Sequence, residues 1–206
     1  MKRFAIIIWL ILLFAGLDAQ NYRGGSLFRI GDSNIYCAAV RTEHFVNHVA
    51  AQRGSNWCWA ACVQMVLNYQ GVDVSQEKIV RKIYGDLKDL PGTADQIVRG
   101  ANGWVTNGHR IVARQDDYMA GAMSLVEDLA YKYPVIVGLS MPGQTVGHAY
   151  VMTGITFADV NGICRPQKVI LRNPAPWLNS KSSREELSWY EFSNRVHTIV
   201  HVYPSN

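Results

Sequence analysis

From Trp57 to Tyr69 the chain reads Trp-Cys-Trp-Ala-Ala-Cys-Val-Gln-Met-Val-Leu-Asn-Tyr, an almost unbroken apolar run relieved by the amides Gln64 and Asn68. It is too long for an ordinary strand and rich in good helix formers, which predicts a helix buried on nearly every side and stopped by Gly71. Such a helix cannot be stable alone, so the rest of the chain must cover it. Two further helix starts follow. Ser75 precedes Gln76 to Tyr84, and Thr93-Ala94-Asp95-Gln96 places threonine and glutamine at capping-box spacing.

Beyond Gly103 and an Asn107-Gly108 turn, β-branched and apolar runs predict strands over 109–113, 135–139, 149–157, 168–171 and 196–202. A helix over about 117–131 and a shorter one over about 184–192 interrupt them. Asp159, Asn161 and Gly162 fit a hairpin turn. Helices first and an antiparallel sheet after make an α+β pattern, read as two lobes of one domain: helical over about 45–108 and β-rich over about 109–206. Residues 20–44, with Gly24-Gly25 and Gly31, read as an extended or loosely ordered lead-in.

Residues 1–19 have the form of a secretory signal peptide. Lys2-Arg3 is followed by an apolar run from Phe4 to Phe14 and a cut expected after Ala19. The run is short of the ~20 apolar residues that span a bilayer, so no stable membrane anchor is expected once it is removed. The expected location is secreted or periplasmic, where disulfides are permitted. With 20 Lys+Arg against 16 Asp+Glu and no basic stripe, the chain does not read as a nucleic-acid binder.

Four cysteines are too few for a disulfide framework and are weighed singly. Cys58 opens the buried helix after the polar stretch Arg53-Gly54-Ser55-Asn56, where the positive end of the helix dipole favours a thiolate. Cys62, one turn on, is expected to pack inward as a small hydrophobe. Cys37 and Cys164 are left as one candidate bridge across the lobes. Gln52, six residues before Cys58, can reach back so that its amide and the Cys58 N–H bind the oxygen of a tetrahedral intermediate. His148 heads an apolar strand and Asn173 ends the next. An imidazole to take the thiol proton and a polar group to orient that imidazole complete the set for nucleophilic catalysis.

Gln52-x5-Cys58-Trp59-Ala60, His148-Ala149 and Asn173 with Trp177 after it resemble the papain-like cysteine peptidases. The string from Asn56 to Tyr69 looks most like compact bacterial members, the branch that includes plant-pathogen effector peptidases. The resemblance implies a papain-like α+β fold, with the nucleophile helix packed on an antiparallel sheet or half-barrel. It implies Cys58 as nucleophile, His148 as base, Asn173 as its orienting group, Gln52 in the oxyanion hole and Trp177 as a shield over the His–Asn pair. The chain departs from the larger members in two respects. It lacks the cysteine that family carries between the glutamine and the nucleophile, and its Cys58 to His148 and Cys58 to Asn173 spacings are 90 and 115 residues, against about 130–150. The 32 residues between the expected cut and Gln52 are too few for a large folded propeptide, so latency would come from the short lead-in or a separate inhibitor.

The expected activity is hydrolysis of a protein or peptide substrate through an acyl-enzyme, with no metal or organic cofactor needed. Acyl transfer to an amine, as in a transglutaminase or amidase, and a non-catalytic binding module on the same scaffold are the alternatives. His44 and His48 have a metal-ligand spacing if helical but lack a Cys or carboxylate partner, while His197 and His201 share a strand face too far apart to chelate easily. Trp59, Trp104 and Trp189 read as core or lobe-junction residues, and Lys181 to Glu186 as a solvated loop and helix start.

Overall fold

The computed structural model describes residues 27–116, 121–175, 177 and 183–205. The signal sequence expected over residues 1–19 lies outside them. The apolar run forms the helix Cys58–Tyr69, in which every residue from Trp59 to Val63 and from Met65 to Leu67 is buried. Each large aliphatic side chain removed from water there, such as Met65 or Leu67, contributes about 1.5–3 kcal/mol. The cover on one side comes from the helices Gln76–Tyr84 and Ala94–Ala101. Ser75 caps the first through the Lys78 N–H, and the second starts in the Thr93–Gln96 capping box that the spacing predicts.

On the other side lies an antiparallel sheet. Its strands are β1 (Leu27–Arg29), β2 (Ile35–Ala39), β3 (Val105–Thr106), β4 (His109–Gln115), β5 (Val135–Leu139), β6 (His148–Val160), β7 (Ile163–Arg172), β8 (Arg184–Ser188) and β9 (Val196–Pro204). The order among the described residues is β1-β2-β6-β5-β9-β4-β3, with β7 and then β8 added beside β6. The 13-residue β6 is the spine. One edge is shared by β5, opposite His148 to Met152, and β2, opposite Gly154 to Ala158; the other edge carries β7. The β6–β7 hairpin turns at Asn161 and Gly162, both with positive φ, 55° and 77°, the backbone that a two-residue turn between twisted strands requires. This is the papain-like α+β fold. Among the described residues no helix is long and apolar enough to cross a membrane.

The described part of the lead-in is extended, residues 27–39 forming β1 and β2, with β2 completing the edge of β6. Two expectations are corrected. The segment expected as a helix over 184–192 is split: Arg184–Ser188 pairs with β7, and only Trp189–Arg195 is helical, capped by Ser188 and Glu191. Arg184 and Glu186 pair at 2.6 Å, and residues two apart share a face in a strand but not in a helix. Finally, Cys37 and Cys164 do not pair, and every cysteine of the chain is free. They lie on β2 and β7, on opposite edges of β6, opposite Thr156 and Asp159. Two sheet spacings of ~4.8 Å put their Cα atoms beyond the ~7 Å that a disulfide tolerates.

Of the helix expected over 117–131, residues 117–120 lie outside the described residues and Gly121–Ala130 is helical. His201 of β9 is fully buried against that helix. Its Nδ1 meets Asp128 Oδ2 and its Nε2 meets Asp116 Oδ2 at 3.0 Å. A register irregularity between Gly138 and Leu139, opposite Val196 to Thr198, breaks the alternation that His197 and His201 would otherwise share. His197 is exposed.

Candidate active site

Cys58 is the first residue of its helix, and the residue before it, Trp57, makes no side-chain cap. The first N–H groups of that helix are therefore not consumed by a capping oxygen and face the space ahead of the thiol. The loop leading there is tied down residue by residue. Asp89 accepts hydrogen bonds from the N–H groups of Ser55 and Asn56 at 3.1 and 2.7 Å, while Trp57 and Trp59 donate their indole N–H groups to the carbonyls of Lys88 and Leu90. Gln76, 1% exposed, accepts from the Arg53 N–H and donates to the Ala51 carbonyl, clamping both neighbours of Gln52. The Gln52 N–H donates to the carbonyl of Pro174 at 2.7 Å, which fastens this loop to the residue after Asn173.

The candidate base comes from β6. His148 begins the strand, and the backbone N–H of Ala149 beside it acts on the Cys58 thiol, opposing the rise of its pKa. Its Nε2 lies 2.9 Å from Asn173 Oδ1, which also accepts from the Ala175 N–H at 2.9 Å. With Nε2 engaged by an acceptor, Nδ1 is the nitrogen left to take a proton. The ring stands edge-on to Tyr150 at 4.8 Å. Burial lowers the His148 pKa, opposed by the Asn173 hydrogen bond and the Glu185 charge. Burial raises that of Cys58, opposed by hydrogen bonds from the backbone N–H groups of Ala149, Trp59 and Cys58 itself. Both shifts favour the neutral thiol and neutral imidazole.

The positions Cys58, His148 and Asn173 thus come together, and Gln52 lies in the loop before the thiol. Its amide is turned differently from the expectation. Nε2 donates to the carbonyls of Gly54 and Ser55 at 2.9 and 2.8 Å, and among the described residues the buried Oε1 has no partner. A buried carbonyl left unpaired costs about 1–3 kcal/mol, which offsets part of what the two Nε2 bonds contribute. Trp177 is 80% exposed and does not cover the His–Asn pair. The spacing Asn173-Pro174-Ala175-Pro176-Trp177 carries it past that pair. Among the described residues no group of three or more His, Cys, Asp or Glu side chains is arranged to hold a metal ion.

Residues 41–197 match the Peptidase_C39 like family. The chain belongs to that family. It is a cysteine-type peptidase. The solved peptidase domain of Streptococcus ComA, a bifunctional ABC transporter involved in quorum sensing, is similar in fold: the TM-score is 0.51 at 20% identity, over 76% of this chain and 97% of that one. A double glycine motif protease from an AMS/PCAT transporter, solved with a leader peptide, aligns with TM-score 0.48 at 15% identity, over 89% of this chain and 96% of that one. No curated protein matches the sequence.

In this C39-like peptidase the residue before His148 makes a close backbone approach. A Cβ on Gly147 would lie 2.5 Å from the His197 Nε2 and 2.9 Å from the carbonyl oxygen of Leu139. The second contact is backbone in β5 and cannot swing aside. Gly147→Ala is expected to strain this junction by about 1–3 kcal/mol and to move His148, cutting kcat by about tenfold or more. Wild-type turnover by the variant in a steady-state assay would refute the close approach.

Proposed function

We propose that this C39-like peptidase is exported and hydrolyses peptide bonds with Cys58 as nucleophile, His148 as general base and acid, and Asn173 as the group orienting the imidazole. The observation that carries this reading is the hydrogen bond from His148 Nε2 to Asn173 Oδ1, at the head of the strand whose Ala149 N–H acts on the Cys58 thiol. The proton of Cys58 passes to His148 Nδ1 as the sulfur attacks the substrate carbonyl. The oxyanion is taken by the uncapped N–H of Cys58 and by Gln52, whose Nε2 leaves a loop carbonyl when substrate arrives; such bonds often tighten only in the complex. His148 then protonates the departing amine as the C–N bond breaks. A water attacks the thioester, returning its proton through the same imidazole and releasing the acid.

The substrate is a protein or peptide. Kinship with the effector peptidases rests on the string from Asn56 to Tyr69 and belongs to this same reading, as does export through residues 1–19.

Digestion of a peptide library by the mature chain, combined with iodoacetamide labelling, tests the assignment. Burial raises the thiols of Cys37 and Cys164 to about 11 and that of fully buried Cys62 well above its ordinary value, whereas Cys58 is half-buried beside the base. One equivalent of label at Cys58 is expected, with hydrolysis lost in step. Inactivation that follows modification of any other cysteine would overturn it. Release of amine adducts in place of the free acid, on adding a primary amine, would move the reading to acyl transfer.

A further inference from the structure

An asparagine amide offers an oxygen at one end and two N–H groups at the other, and only the oxygen can receive the His148 proton. Something must therefore hold Asn173 the right way round. Asn173 Nδ2 donates to Glu185 Oε1 at 2.6 Å. A carboxylate only accepts, so it selects the amide's nitrogen end and leaves the oxygen for His148. Glu185 sits on β8 opposite Leu171, two residues before Asn173. Its neighbours are engaged elsewhere: Arg184 and Glu186 pair with each other, and Lys168 joins Glu186 at 3.4 Å. Strand alternation turns the half-buried Glu185 the opposite way from both.

We propose that Glu185 is a positioning residue, holding the Asn173 amide in its productive orientation and placing a negative charge one hydrogen bond behind the His148–Asn173 pair. A neutral asparagine orients an imidazole but adds no charge to balance the imidazolium that forms during attack; a carboxylate behind it supplies that charge. The Glu185 charge acts on the His148 ring and on Tyr150 beside it. The other titratable groups around His148 are Cys58 from the nucleophile helix, Tyr150 from its own strand and His197 from β9 against Gly147. Arg195 reaches Met141 and Tyr150 from the helix after β8.

This inference rests on the Cys58–His148–Asn173 reading, and steady-state kinetics across pH on the full mature chain separate the two. Glu185→Ala is expected to lower kcat by about 100-fold with KM held within about twofold, because the nitrogen end of the amide loses its acceptor and the Ala175 N–H alone is left to fix its orientation. Glu185→Gln keeps an acceptor and loses only the charge, so the fall is smaller, about tenfold. The sign of its pH effect follows from the charge. Glu185 raises the His148 pKa, so removing that charge lowers it, and the acid limb of kcat/KM moves to lower pH. In an Asn173→Ala background, Glu185→Ala is expected to add less than about twofold.

Wild-type kcat and an unmoved acid limb in both Glu185 variants, or a full additive loss in the Asn173→Ala background, would refute the proposal. Should Glu185→Ala fail to fold by circular dichroism, Glu185→Gln with its pH limb decides alone. If Cys58→Ala kept full hydrolysis, the triad itself would be wrong; if Cys58→Ala is inactive while the Glu185 variants behave as wild type, only the Glu185 assignment fails.

Discussion

Cys58→Ala is expected to reduce peptide hydrolysis by at least about 10⁴-fold while leaving the melting curve nearly unchanged. The size of the loss follows from what the thiol does. Without a nucleophile there is no acyl-enzyme, and the His–Asn pair can at best assist a water that the site does not place. The fold survives because Cys58 is the half-buried first residue of its helix, with the apolar contacts that hold the helix starting at Trp59. Alanine is also a good helix former. Cys58→Ser is expected to be nearly as inactive: a hydroxyl has a far higher pKa than a thiol, and a site that already holds its imidazole below the usual range has little basicity to spare. Substantial hydrolysis by either variant, in protein free of contaminating peptidase, would show that the chemistry lies elsewhere.

The second large effect concerns stability and leaves chemistry alone. Asp128→Ala removes the carboxylate facing Nδ1 of the fully buried His201, while Asp116, bonded also by Ser124 and near Arg114, remains on Nε2. The fully buried ring nitrogen is then left without its partner. Leaving a buried polar group unsatisfied costs about 1–3 kcal/mol, which in a domain of this size lowers the melting temperature by roughly 2–12 °C. Asp128→Asn keeps an acceptor and is expected to lose less. The KM of the stable fraction should not change, since the cluster lies between β9 and the Gly121–Ala130 helix and shares no residue with Cys58, His148 or Asn173. A loss below about 1 kcal/mol by denaturant melt would mean that the cluster contributes little to folding.

What the sequence revealed and what it hid divides along physical lines. Cys58, His148 and Asn173 are legible because each sits in a short local pattern, at a helix start, a strand head or a strand end. The three residues that support them are not. Gln76 clamps Ala51 and Arg53 from more than 20 positions away, Asp89 reaches back to Ser55 and Asn56 across more than 30, and Glu185 meets Asn173 only because β8 pairs with β7. No local period announces such contacts, since strand register creates them. The same reason defeats the Cys37–Cys164 bridge: cysteine arithmetic permits it, and only the interposed β6 forbids it. The pairing of His201 is hidden in the same way, because its carboxylate partners belong to the end of β4 and to a helix more than 70 positions earlier.

The docking of residues 27–39 onto β6 limits how such an enzyme can be matured. A leader that blocks a cleft and is then cut away must be dispensable to the folded body, yet β2 closes the β6 edge from Gly154 to Ala158. Cleavage that removed β2 would expose that row of unpaired backbone groups as a template for pairing with other chains, and a cut that removed β1 alone would expose the edge of β2 in the same way. Activation by trimming is thereby confined to the stretch ahead of β1, and any cut beyond it would trade silence for aggregation.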